Sequence, residues 1–149
     1  MGKDYELIDH TADLGILVYG NDLNQLFANA ANALSDIITD KPKVEEVEPK
    51  EIIVTGIDLE QLMINWLQEV LYNYDVYSFL FTRFDVHEII TSKHEESSPT
   101  SLTIKATGFG ETFDHERHVI LTEVKAATYH QIEVKENNGK WQARVIFDL

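Results

Sequence analysis

Residues able to do chemistry gather at a few places in this chain. The stretch ELIDHTADLGILVYG, residues 6–20, sets Asp9, His10 and Asp13 between two apolar segments that read as strands, 6–8 and 14–19. The stretch VIFDL, 145–149, puts another carboxylate, Asp148, at the end of a strand with Leu149 beyond it. Calcium, magnesium and manganese favour oxygen ligands drawn from carboxylates, backbone carbonyls and water. If the first and last strands lie close, Asp13, Asp148 and the main chain of Leu149 make such a site. The plainer reading of 10–13 is a turn capped by Thr11 and Asp13, and periodicity does not decide between them.

Two further clusters carry weaker signals. TEVKAATYH, 122–130, places Glu123 and Lys125 on one face of an extended segment. Lys125 stands between Val124 and Ala126, an apolar setting that could hold its ammonium near carboxylates, although a strand lysine is more often a solvated edge residue. FDHERH, 113–118, offers Asp114, His115 and His118. A histidine pair three residues apart beside a carboxylate suits zinc. No third ligand follows at a diagnostic spacing, so a solvated loop is the simpler expectation. The Gly-x-Gly of GFGE, 108–111, has no helix after it and so lacks the order of a dinucleotide fingerprint.

Elements must position these groups. ILVYGNDLNQL (16–26) and IIVTGIDLEQL (52–62) agree at seven of eleven positions, 36 residues apart. Each is an apolar strand, a glycine, then Asp-Leu-x-Gln-Leu opening a helix. The aspartate can cap the helix start and the glutamine three residues on can reach back. The first helix then carries Leu23, Leu26, Phe27, Ala30, Leu34, Ile37 and Ile38 at helical spacing, and Lys41-Pro42 marks its end. The second presents Leu59, Leu62, Met63, Trp66, Leu67, Val70, Leu71 and Tyr74. Segments 79–91 and 101–109 read as strands separated by a charged loop. Two more flank Glu136-Asn137-Asn138-Gly139, a strong hairpin signal because Asn and Gly tolerate positive φ. On the last strand Trp141, Ala143, Val145 and Phe147 alternate with polar residues, and Ile146 alone breaks the pattern. The expected fold is α+β: a two-layer sandwich in which a mixed, mostly antiparallel β-sheet carries two amphipathic helices on one face. No linker divides residues 1–149, so a single domain is expected.

Composition narrows the function. Hydrophobic residues make up 44% of the 149, enough to bury a core. No apolar run approaches the roughly 18 residues that span a bilayer, and the N-terminal segment has no secretory h-region, so a cytoplasmic protein without membrane contact is expected. The absence of cysteine excludes a thiolate zinc site. A formal charge of −14, with 12 basic residues against 26 acidic ones, opposes direct binding of RNA or DNA. It suits a hard cation, or docking onto a positively charged protein.

Four motifs in order resemble the archease family: HTADLGI near the start, the Trp66, Leu67, Glu69, Leu71, Tyr72 run, VKAATYH, and FDL at positions 147–149. The resemblance covers nearly the whole chain, and Ala127 stands where the family pattern has Val. It implies an α/β sandwich with a divalent-metal site, and a protein cofactor rather than an enzyme. The implied partner is an RtcB-type RNA ligase, whose GTP- and metal-dependent guanylylation and multiple turnover it promotes in tRNA splicing and RNA repair. By motif, the metal ligands fall on Asp13, Asp148 and the backbone of Leu149, and the functional lysine on Lys125. His10, Asp9 and Glu123 flank these positions and are candidates for partner contact. Two other readings compete: a metal-dependent hydrolase built on Asp114, His115 and His118 or on His10 with Asp13, and a general chaperone-like adaptor.

Overall fold

The computed structural model describes residues 4–10, 13–92 and 101–149, with the side chains of Asp9, His10 and Ser92 outside the description. Two strand–helix units organise it. Strand β2 (Asp13–Gly20) leads into helix α1 (Leu23–Ile38), and strand β3 (Glu48–Gly56) leads into helix α2 (Leu59–Tyr77). The two openings are built alike. Asp22 and Asp58 accept the N–H of Gln25 and Gln61 at 2.7 and 2.8 Å. Those glutamines reach back to the N–H of Asn21 and Ile57 at 2.6 and 2.9 Å, a reciprocal cap. One turn further on, Asn29 and Asn65 each donate to a strand carbonyl, of Tyr19 and of Thr55, at 2.8 Å. Gly20 and Gly56 let each helix start close to its strand. A Cβ there would lie 2.5 Å from the Leu26 nitrogen or 2.7 Å from the Leu62 nitrogen. The repeat seen in the sequence is therefore a repeat of hydrogen bonds as well as of residues.

The α+β class holds, and the strands divide between two sheets. One has the order β1-β2-β7-β6, with β1 Tyr5–His10, β6 Ala126–Asn137 and β7 Lys140–Asp148. The other has the order β3-β5-β4, with β4 Phe79–Ser92 and β5 Ser101–Thr112. All the pairings are antiparallel. Each unit recruits its own neighbouring strands, so α1 packs on β2 and β4 while α2 packs on β3 and β6. Each helix thus touches both sheets instead of resting on one.

The core lies where the two helices meet. Phe27, Leu34, Leu62, Met63, Trp66 and Leu67 are fully buried with Ile16, Val145 and Phe147. The Trp66 indole N–H donates to the Phe27 carbonyl at 2.8 Å, so the largest core side chain also keeps its one polar atom satisfied. The expected hairpin turns at Asn138 and Gly139, both with positive φ (55° and 80°). Ile146 departs from the inward alternation because it covers the opposite face of the sheet, where its Cδ1 lies over Gly15 beside Ile8.

Candidate metal and partner site

The ladder between β2 and β7 decides the question of the two distant carboxylates. Asp13 and Asp148 are direct partners across these antiparallel strands. Opposed residues on a pleated pair share a face, with Cβ atoms roughly 4.5–5.5 Å apart. The register runs without a break from there to Gly20 and Trp141, so the pairing is fixed by eight consecutive positions. On the other edge of β2, His10 is the backbone partner of Asp13. The side chains of Asp9 and His10 lie outside the described residues.

Two like charges directly opposed on a ladder repel unless something neutralises them. A hard cation with oxygen ligands suits two half-exposed or exposed carboxylates on a rigid frame. Among the described residues no three His, Cys, Asp or Glu side chains converge. Two carboxylates completed by main-chain oxygens and water are the set that the described residues offer, and they fit a calcium, magnesium or manganese ion rather than zinc.

Lys125 lies next to this pair along the backbone and away from it in side chain. Its N–H donates to the Asp148 carbonyl at 2.8 Å, tying the entry of β6 to the end of β7. Ala126 is the cross-strand partner of Asp148. Alternation therefore sends Lys125 to the other face, where it lines a cavity of about 530 Å³ with Asn65, Gln68, Glu69, Tyr72 and Asp75 of α2. Its surroundings are thus polar and open, not apolar as its sequence neighbours suggest. Gln68 accepts the Ala127 N–H at 2.7 Å and fixes this strand entry to the helix. Glu123 accepts the hydroxyl of Tyr74 on α2; burial first, then the Glu123 carboxylate, hold that phenol above its ordinary range.

Of the cavity-lining residues of α2, Glu69 and Tyr72 belong to the motif run of residues 66–72, whereas Asn65, Gln68 and Asp75 carry no motif signal. Their spacing at 65, 68, 69, 72 and 75 is a polar helical stripe opposite the buried one, and that period was the available signal.

The histidine cluster has a structural occupation. The Asp114 N–H donates to His118 Nδ1 at 2.9 Å. Nε2 therefore carries the proton toward Glu111 Oε2 at 3.1 Å. Both ring nitrogens are engaged in a buried side chain. Glu111 also pairs with Arg117 and accepts the Glu45 N–H at 2.7 Å. The Arg117 guanidinium, then the Glu45 and His118 bonds, outweigh burial and hold the Glu111 carboxyl down to about 2. Glu111 and His118 together clamp β5 to the 113–118 loop and to residue 45, with both His118 ring nitrogens already engaged.

Known proteins share this architecture. A model of the Archease protein family (MTH1598/TM1083) matches residues 5–149. Protein archease of Methanosarcina mazei is 40% identical over 148 residues, covering 99% of this chain and 97% of that protein. Protein archease of Pyrococcus abyssi is 38% identical, covering 99% of both. The solution structure of Methanobacterium thermoautotrophicum protein 1598 superposes with a TM-score of 0.78 at 33% identity, over 98% of this chain and 99% of that one. An archease of Thermotoga maritima, described as a possible chaperone, shares the fold at TM-score 0.57 and 21% identity. With matches that run almost end to end in both sequence and structure, the chain belongs to the archease family.

Proposed function

We propose that this protein activates an RtcB-type RNA ligase, supporting its guanylylation and repeated turnover, and that it does so with a divalent cation held by Asp13 and Asp148. The observation that carries this reading is the cross-strand pairing of those two residues. Asp13, Asp148 and the main chain of Leu149 would hold the ion, which supplies concentrated positive charge at an acidic end of the protein. The carboxylates bind and orient it, and the β2–β7 ladder keeps their spacing fixed when the partner docks. Lys125 sits at the same sheet end on the opposite face and can meet a partner that wraps this edge.

The charge of −14 favours a protein partner over RNA as the direct contact. Among the described residues no helix is long and apolar enough to cross a membrane.

The test is ligase turnover with GTP and Mn²⁺ in the presence of Asp13→Ala or Asp148→Ala protein. Each variant should fold as the parent does and lose stimulation of multiple turnover. Full stimulation by both would refute the role of the pair. A general chaperone would instead bind many clients with no dependence on Asp13.

A further inference from the structure

The two strand–helix units differ in what stands beside their first strand. In the first unit Tyr19 uses both backbone groups away from β7. Its carbonyl accepts from Asn29, and its N–H donates to the Asp4 carbonyl on the β1 side at 2.9 Å. Thr55 is the matching residue of the second unit, and its carbonyl accepts from Asn65 in the same way. Where β1 flanks the first unit, β3 is the terminal strand of its sheet among the described residues. From this difference we infer that the outer edge of β3, residues 51–56, is a docking site for an extended basic segment of a partner protein, which adds to the sheet as β1 adds to β2.

Edge strands invite such pairing unless they are short, bulged, or marked by Pro or Lys. The other three edges carry these protections. β1 is six residues long. β4 has register shifts at 81–83 and 86–88. β6 is broken between Thr128 and Glu133, with Gln131 at positive φ. In β3, Pro49 and Lys50 protect the first half only. The second half, Glu51-Ile-Ile-Val-Thr-Gly, is β-branched and continuous in its register with β5. Ile53 there is 62% exposed.

The groove beside that edge describes its occupant. Its walls are 53–55 of β3 and Lys125, and α2 forms its floor with Asn65, Glu69, Tyr72 and Asp75. Among its lining residues Glu69 and Asp75 outnumber the single Lys125, on a protein of charge −14. Ile53 and Tyr72 offer apolar contact between the charges. Main-chain bonding to an edge gives affinity, and alternate side chains give selectivity, so the fitting ligand alternates basic and apolar residues.

The probe is a fluorescent ten-residue peptide of alternating lysine and valine, titrated against the full chain. Saturable binding that slows amide exchange at Ile53 and Thr55 by tenfold or more, with β1 and β4 amides unchanged, supports the site. Ile53→Lys, confirmed as folded by circular dichroism, should weaken binding at least tenfold. Asp13→Ala should leave it intact, which separates this surface from the carboxylate pair. No binding, protection mapped to another edge, or equal binding by Ile53→Lys overturns the inference. A dimer in sedimentation equilibrium that Ile53→Lys dissolves overturns it too, by showing that a second copy takes the edge.

Discussion

The β2–α1 and β3–α2 units share a cap, a glycine and an asparagine latch, yet they live in different surroundings. β2 is an interior strand, held by β1 on one side and β7 on the other. β3 is an edge with β5 alone. α1 is enclosed so fully that even Ser35 is buried, whereas α2 keeps Glu69, Tyr72 and Asp75 toward an open groove. The same local code therefore serves two ends. In the first unit it delivers Asp13 into a ladder opposite Asp148; in the second it leaves a helix face and a strand edge for contact. Local hydrogen bonding sets how a helix starts, and the neighbours that arrive later set what the unit can do.

Substitutions can break or sharpen this comparison. The largest loss is expected from Trp66→Ala, which empties the junction of the two helices and removes the indole donor to the Phe27 carbonyl. Urea unfolding should show a loss of about 3–5 kcal/mol. Gly20→Ala and Gly56→Ala each force a Cβ against helix backbone. Each should cost about 1–3 kcal/mol, and near-equal losses would show that the two tight starts are equivalent in energy as well as in geometry.

Glu111 acts on one side only, tying residue 45 just ahead of β3 to the 113–118 loop. Its carboxyl is held at about 2 in the folded protein against an ordinary 4.5. Its stabilisation is thus complete above about 4.5 and is lost as the pH falls toward about 2. Unfolding followed across that window should fall less steeply for Glu111→Gln than for the parent. The smallest effects belong to the caps. Asp22→Ala and Asp58→Ala should each remove about 1 kcal/mol in thermal or urea melts. A clearly larger loss at Asp22 would mean that the enclosed unit cannot borrow water for its freed N–H groups, as the open one can.

Much of this architecture was legible in the residues. Helical stripes marked both helices, Asp-Leu-x-Gln-Leu marked their starts, and Asn138-Gly139 marked the hairpin, because each of these signals is local. What could not be read was which strands would meet. Nothing near Asp13 or Asp148 states that they pair, since a ladder between residues 135 positions apart is set by the whole fold. The same reason hid the division into two sheets and the side to which Lys125 turns. His118 was ambiguous for a different cause: its partner Glu111 lies outside the 113–118 stretch on β5, and Arg117 between the histidines is one hand of the clamp.

The order of synthesis gives the carboxylate ladder one more property. β7 is last among the strands in sequence but interior in its sheet, wedged between β2 and β6. While a chain is still emerging from the ribosome, the flank of β2 that β7 will cover is open and Asp148 has yet to arrive. The juxtaposition of Asp13 and Asp148 is therefore made only when β7 slots home, so a nascent or cut-short copy lacks it.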